Sequence, residues 1–261
     1  MTQVHCILRS FFLLSLFVSL HALAAPAGQI QSAKGSVWIV VPGAPEHGAS
    51  SGDAVDQGMT VRTEADSQAV IRFQDGQVVA LKSNSLFQVR QYKFDKDKPE
   101  AGSIFFSLVK GGLRAITGLI GEKNRPGWKL ATPVVTIGIR GTDFLAAIQQ
   151  GVYTHVNLGA ISMTNDGGTA ALGVAQFGFA PNAATLSTAI PASAVPAGLF
   201  GELEAITISG VAGGGAAAGA GTAATGGISG ATWGAIGVIG VGAAAAVAAG
   251  GGGGNTATTH H

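Results

Sequence analysis

Ala69 to Lys82 read AVIRFQDGQVVALK, two short β-rich runs on either side of Gln74-Asp75-Gly76-Gln77. Asp-Gly supplies the positive φ that a tight hairpin turn demands. Before the turn Ile71 and Phe73 alternate with Arg72 and Gln74, and after it Val79 and Leu81 answer them, so the predicted hairpin has one apolar face. The same pattern recurs at Gly35 to Val41, at Gly58 to Thr63, and at Leu86 to Tyr92, where Phe87 and Val89 oppose Gln88 and Arg90. Further strand-like runs follow at Ile104 to Leu108, Gly112 to Ile116, Trp128 to Ala131, Val134 to Ile139, Asp143 to Gln149, Thr154 to Leu158 and Ala160 to Thr164. Helical periodicity is scarce. Many short strands at spacings of roughly 8 to 12 residues, punctuated by glycine, predict an all-β fold: a sandwich, barrel or solenoid.

Working outward, the 261 residues have room for one large domain or two small ones. The chain has 15 Lys+Arg and 14 Asp+Glu, only 11% charged, against about 25% in an ordinary soluble domain. Of these 29 charges, 25 lie between Lys34 and Asp143, and none occurs in the 57 residues after Glu204. The chain therefore reads as an apolar head, a charged globular middle and an uncharged Gly/Ala-rich tail. A net charge of +1 supplies no long-range field to hold a polyanion, which excludes a dedicated nucleic-acid binder. Weak charge also argues against a long solvated disordered chain.

The head, from Ile7 to Leu20, is almost wholly apolar, with Arg9 as its one firm positive charge. It resembles a secretory signal peptide over residues 1–24, with small residues at Ala22 and Ala24 and cleavage expected before Ala25. The alternative is an uncleaved anchor, although the apolar core is shorter than the ~20 residues that span a bilayer. Export is expected either way, to the periplasm or outer envelope. Cys6, the only cysteine, precedes the apolar core, the wrong side for lipoprotein attachment. A mature chain without cysteine holds neither a disulfide nor a thiolate metal site.

Four stretches in order carry a family resemblance. Gly35-x-Val37 comes first, then GDAVDQGMTVRTEADSQAVIRFQDGQVVALKSNSLFQV from Gly52 to Val89, GSIFFSLVKGGLRA from Gly102, and TPVVTIGIRGTDFLAAI from Thr132 to Ile148. Together they resemble the FecR domain of bacterial envelope proteins, placed here at residues 25–165. The resemblance implies an all-β periplasmic domain with a solenoid-like or sandwich-like stack of short strands, used for sensing or protein contact and not for catalysis. The best-known members of that family are siderophore signal transducers that hold a sigma factor through a cytoplasmic N-terminal domain. Only Met1 to Cys6 precede the apolar segment here, so the iron-regulator role is not carried over, and the chain resembles the stand-alone secreted members instead.

The TP…RGT stretch supplies the candidate interaction residues Thr132, Pro133, Gly138, Arg140, Gly141, Thr142 and Asp143. Pro133 cannot donate a ladder hydrogen bond and marks a strand start, while Gly138 and Gly141 suggest close backbone approach or a bend. Arg140, between Ile139 and Gly141, is expected to be partly buried and to need a carboxylate or carbonyl partner. Two readings stand: a contact to a partner protein or glycan, or an internal staple that fixes strand register.

Patterns for catalysis are missing. The histidines beyond the head are His47, His155, His260 and His261, and no HExxH, GxSxG or phosphate-loop pattern occurs. His155 is expected to face solvent or a satisfied hydrogen bond. Asp95 and Asp97, in the solvated loop Lys93 to Glu100, resemble the start of a calcium loop without its later ligands. Neither enzymatic activity nor a cofactor or metal is expected.

Residues 166–227 read as a Gly/Ala/Pro-rich extension, loop-rich up to Ala205, with a short helix expected between Ala192 and Ile208 through Leu199, Phe200 and Leu203. Ile228 to Ala249 is uncharged and long enough to span a bilayer at ~1.5 Å per residue. With Gly226, Gly230 and Gly234 four residues apart, it reads as a membrane-inserted or self-associating helix, or else as part of a flexible low-complexity tail. Residues 250–261 are a flexible end. The chain as a whole reads as an exported FecR-domain binding or signalling module whose partner is an envelope protein or glycan. Its rival is a structural scaffold whose tail drives attachment or assembly.

Overall fold

The hairpin at Ala69 to Lys82 lies in the middle of one of two facing sheets. The computed structural model describes residues 25–208. Strands β1 (Gly28–Lys34), β2 (Val37–Val40), β3 (His47–Gly48), β4 (Ala54–Val55), β5 (Thr60–Thr63) and β6 (Gln68–Phe73) lead into the turn, and β7 (Val78–Leu81) completes the hairpin. Then come β8 (Leu86–Lys93), β9 (Ser103–Lys110), β10 (Gly112–Ile116), a short helix α1 (Leu119–Lys123), β11 (Trp128–Ala131), β12 (Thr136–Ile139), β13 (Asp143–Ile148) and β14 (Val152–Leu158). The last elements are β15 (Ile161–Asn165), β16 (Gly168–Leu172), β17 (Phe177–Ala180), β18 (Thr188–Ile190) and α2 (Gly201–Ala205). Sheet A has the order β18-β17-β14-β13-β10-β7-β6-β1-β4 and sheet B the order β16-β15-β12-β11-β9-β8-β5-β2-β3. The chain crosses repeatedly from one sheet to the other as it advances along both, so the all-β fold is a sandwich-like stack. Every pairing is antiparallel except β9 with β11.

The alternation read from the sequence explains the core. Ile71 and Phe73 of β6 and Val79 and Leu81 of β7 point inward, where they meet Phe87, Val89 and Phe106 of sheet B in one buried cluster. Aromatic rings bridge the two sheets: Phe73 lies 4.9 Å from Phe106, and Trp128 sits edge-on to Phe106 at 6.3 Å and to Phe144 at 5.9 Å. The Trp128 indole N–H is satisfied by Gln77 Oε1 at 2.6 Å, as a buried polar group requires. In the turn, Gly76 adopts φ +85°, as the Asp-Gly reading predicts.

Asp75 does more than turn the chain. It is 1% exposed, its carboxylate accepts from Tyr92 Oη at 3.1 Å and from the Gln77 N–H at 3.3 Å, and its carbonyl accepts from the Leu119 N–H at 2.9 Å. Burial pushes this carboxyl above its ordinary range, against the pull of those hydrogen bonds. The same residue that shapes the hairpin thus anchors α1.

The middle of sheet A is buried on both faces. Behind the main core, Val70, Val78, Ala80, Leu145 and Ala147 face outward and are covered by Leu199, Phe200, Leu203 and Ile206. Burial on both faces accounts for the nearly unbroken apolar runs of β7 and β13. The expected short helix is present as α2, and the Glu202 carboxylate pins it by accepting the Ser83 N–H at 3.0 Å. Where composition suggested loops beyond Gly167, β16, β17 and β18 extend both sheets. β16 and β18 consist mostly of small residues (GTAAL, TAI), so backbone pairing on neighbours rather than side-chain propensity holds them, while β17 is held by Phe177 stacked on His155 and Phe179 on Tyr153.

The expected signal peptide (1–24), the tail from residue 209 onward, the candidate membrane segment Ile228 to Ala249 and the end at 250–261 lie outside the described residues. Among the described residues no helix is long and apolar enough to cross a membrane.

Candidate functional site

The structure divides the TP…RGT residues into two groups. Thr132 closes the turn between β11 and β12: its hydroxyl donates to the Val135 carbonyl at 2.7 Å and accepts the Val135 N–H at 3.1 Å, with Pro133 exposed at the tip. Arg140-Gly141-Thr142 is the crossover from β12 in sheet B to β13 in sheet A. Thr142 is buried and locked to Thr117, whose hydroxyl donates to the Thr142 carbonyl at 2.9 Å and accepts its N–H at 2.9 Å. Gly141 has φ +63°. Its carbonyl lies so near the adjacent crossover that a Cβ on Gly159 would stand 1.9 Å from it. These residues build the corner.

Asp143 is also structural. Arg114 grips it in a forked pair, Nε to Oδ1 at 2.9 Å and Nη2 to Oδ2 at 2.5 Å, with side-chain exposures of 23% and 16%. The carboxylate beside it holds the Arg114 guanidinium above its ordinary pKa, against the opposing effect of burial. The internal staple is therefore Arg114–Asp143, and the expectation of a partly buried Arg140 guanidinium with a carboxylate or carbonyl partner is corrected. Arg140 is exposed and only its backbone is engaged, the N–H donating to the Ala160 carbonyl at 2.8 Å.

The reason is period two. Ile137 and Ile139 point into the core, so Thr136, Gly138 and, just past the strand, Arg140 fall on the outer face of sheet B. There they border a groove of about 850 Å³. β15 pairs with β12, placing Ser162 opposite Gly138 and Thr164 opposite Thr136. Two further cations, Arg125 and Lys129, border the same groove, and Phe105 lies in its floor beneath the guanidinium of Arg90, 5.6 Å away. Gly138 keeps the floor low: a Cβ there would meet Ser162 Oγ at 2.8 Å. None of the groove-lining residues is acidic. The structure thus brings Gly138 and Arg140 together with Thr136, Ser162, Thr164, Arg125 and Lys129, which the motif did not point to. Strand alternation, read across β11, β12 and β15, is the signal that could have found them.

His155 also departs from expectation. It lies on the outer face of sheet A, stacked on Phe177 at 4.0 Å and near Phe200 at 6.3 Å, with Nδ1 buried and unpartnered among the described residues. Burial lowers its pKa, with Glu204 and Asp143 pulling the other way. Asp95 and Asp97 are exposed, Asp97 being paired with the neighbouring Lys96, and among the described residues no group of three His, Cys, Asp or Glu side chains is placed to hold a metal ion.

Comparison with known proteins finds a family match inside the sandwich. Residues 59–162 match the family described as FecR protein, a stretch that runs from the end of the loop before β5 into β15. No curated protein matches the chain. Two crystal structures of a candidate anti-sigma factor from Parabacteroides distasonis are similar, at 12% and 11% identity and a TM-score of 0.41, each alignment covering 50% of this chain and 58% of that one. This chain spans little more than half the length of those relatives.

Proposed function

We infer that the protein is an exported envelope protein whose FecR domain is a non-catalytic recognition module for signalling, and that it engages its partner through the outer face of sheet B around Arg140. The observation that carries this reading is the division of the motif. Thr132, Thr142 and Asp143 are consumed in turn, corner and staple, whereas the Arg140 side chain makes no internal contact among the described residues and borders a groove. An arginine with no fold to hold is available for recognition, and its planar fork suits carboxylate or phosphate groups. The chemistry around it is a binding surface, since the groove presents no acid, base and nucleophile in hydrogen-bonded order.

Affinity capture from envelope extracts tests this with the full chain and its Arg140→Ala variant. The variant should melt with the wild type and lose the partner; equal recovery by both would remove the groove from the account. The uncharged tail supports attachment of the module to the envelope. Fractionation of a chain ending before Gly210 should then move the protein to the soluble periplasmic fraction, and unchanged location would exclude the tail as an anchor.

A further inference from the structure

We propose that the groove on sheet B binds an anionic polysaccharide, a chain of sugars bearing carboxylate or equivalent acidic groups. The inference rests on the groove being the recognition site and names what fills it. Arg125 and Lys129, on the stretch that runs into β11, and Arg140, at the end of β12, are exposed, converge on one concave surface and have no side-chain partner among the described residues. With no carboxylate in the lining, their charge is left for a ligand to neutralise, and unpaired cations facing one cleft raise the local concentration of anions.

The character of the remaining surface selects the class of anion. Thr136 on β12 and Ser162 and Thr164 on β15 add a row of hydroxyls to the same lining, able both to donate to and to accept from hydroxyl groups. The groove lies across the face of β9, β11, β12 and β15, over three strand spacings or about 14 Å. All four strands are already paired on both sides. A polypeptide laid there would find no free strand edge, so its backbone N–H and C=O groups would be covered without ladder partners, at a cost for each. A polysaccharide carries hydroxyls that pair with the Thr and Ser row or keep their water, and its acidic groups meet the guanidinium forks. The floor stays open because residue 138 is glycine. Since the whole chain carries a net charge of only +1, attraction is local, and the affinity is modest and strongly salt-dependent.

The test is calorimetric titration of the full chain at low ionic strength with oligogalacturonate, with a neutral galactose oligomer of equal length, and with oligoglutamate. Oligogalacturonate should bind, the neutral oligomer should not, and oligoglutamate should bind more weakly. Arg140→Gln should weaken oligogalacturonate about tenfold, the loss of one charge-assisted contact. The combined Arg125→Gln, Lys129→Gln, Arg140→Gln variant should show no binding while melting with the wild type. Equal binding of the neutral oligomer, or undiminished binding by the triple variant, overturns the proposal. Tighter binding of oligoglutamate, abolished in the triple variant, also overturns it in favour of an acidic polypeptide while leaving the groove as the recognition site. Loss of captured partner on Arg140→Ala, with no oligogalacturonate binding, separates the two in the same way.

Discussion

The two sheets share one core and differ in what lies behind them. Sheet A presents Val70, Val78, Ala80, Leu145 and Ala147 outward, and the chain returns at Leu199 to Ile206 to cover them. Sheet B presents Thr136, Gly138, Ser162, Thr164 and Lys129, and residues 25–208 leave that face open as a groove. Apolar outward positions require a cover, because water excluded from them stabilises the fold. Outward hydroxyls and cations require none. The contrast teaches that one outer face of the stack is spent on stability while the other is left open, and that the crossover Arg140-Gly141-Thr142 joins the two.

The sharpest way to break this comparison is to strip the cover. Leu203 is fully buried, and Leu203→Ala should destabilise the protein by roughly 2–5 kcal/mol, measured by denaturant unfolding. A loss below about 0.5 kcal/mol would mean that the segment does not hold sheet A. At the corner, Gly159→Ala forces a Cβ onto the Gly141 carbonyl at a left-handed φ of +76° and should cost at least about 2 kcal/mol. Arg114→Ala should cost about 2 kcal/mol, because Asp143 keeps its largely buried charge with one remaining side-chain hydrogen bond among the described residues, from Asn157 at 3.4 Å. Arg114→Ala should not alter what binds to sheet B once temperature is kept below the melting point.

A smaller effect separates the faces by pH. Burial holds His155 below its ordinary pKa, so the unfolded chain takes up a proton there before the folded one does. Stability therefore falls as pH drops through about 6.5, and the loss is complete once the folded-state histidine has also titrated. His155→Phe keeps a ring on Phe177 and cannot titrate. Its melting temperature should change less than that of the wild type between about pH 7 and pH 5. Parallel curves would place the pH dependence elsewhere.

Much of the architecture was legible. Alternation in AVIRFQDGQVVALK and its repeats located β2 and β5 to β15 because bulky β-branched and aromatic residues recur every second position. β1 and β16 to β18 escaped because residues such as GQIQSAK and GTAAL carry little side-chain signal and are strands only through their neighbours. The site was legible in part. Arg140 was singled out, yet its environment was inferred from adjacent apolar residues in the chain rather than from its position in the pleat, which turns it outward. Arg114 as the true partner of Asp143 lies 29 residues away, a separation that no local pattern reports. The low overall charge concealed the groove, because Arg125 and Lys129 meet Arg140 on one face only once β11 and β12 pair.

The central claim is that Arg140 belongs to recognition and not to the fold. Thermal melting and oligogalacturonate titration of the full-length Arg140→Gln variant, performed side by side with the wild type, test it most directly. The account predicts a melting curve unchanged to within about 0.5 kcal/mol of stability and an affinity lowered about tenfold. A destabilised protein with unaltered binding would contradict it.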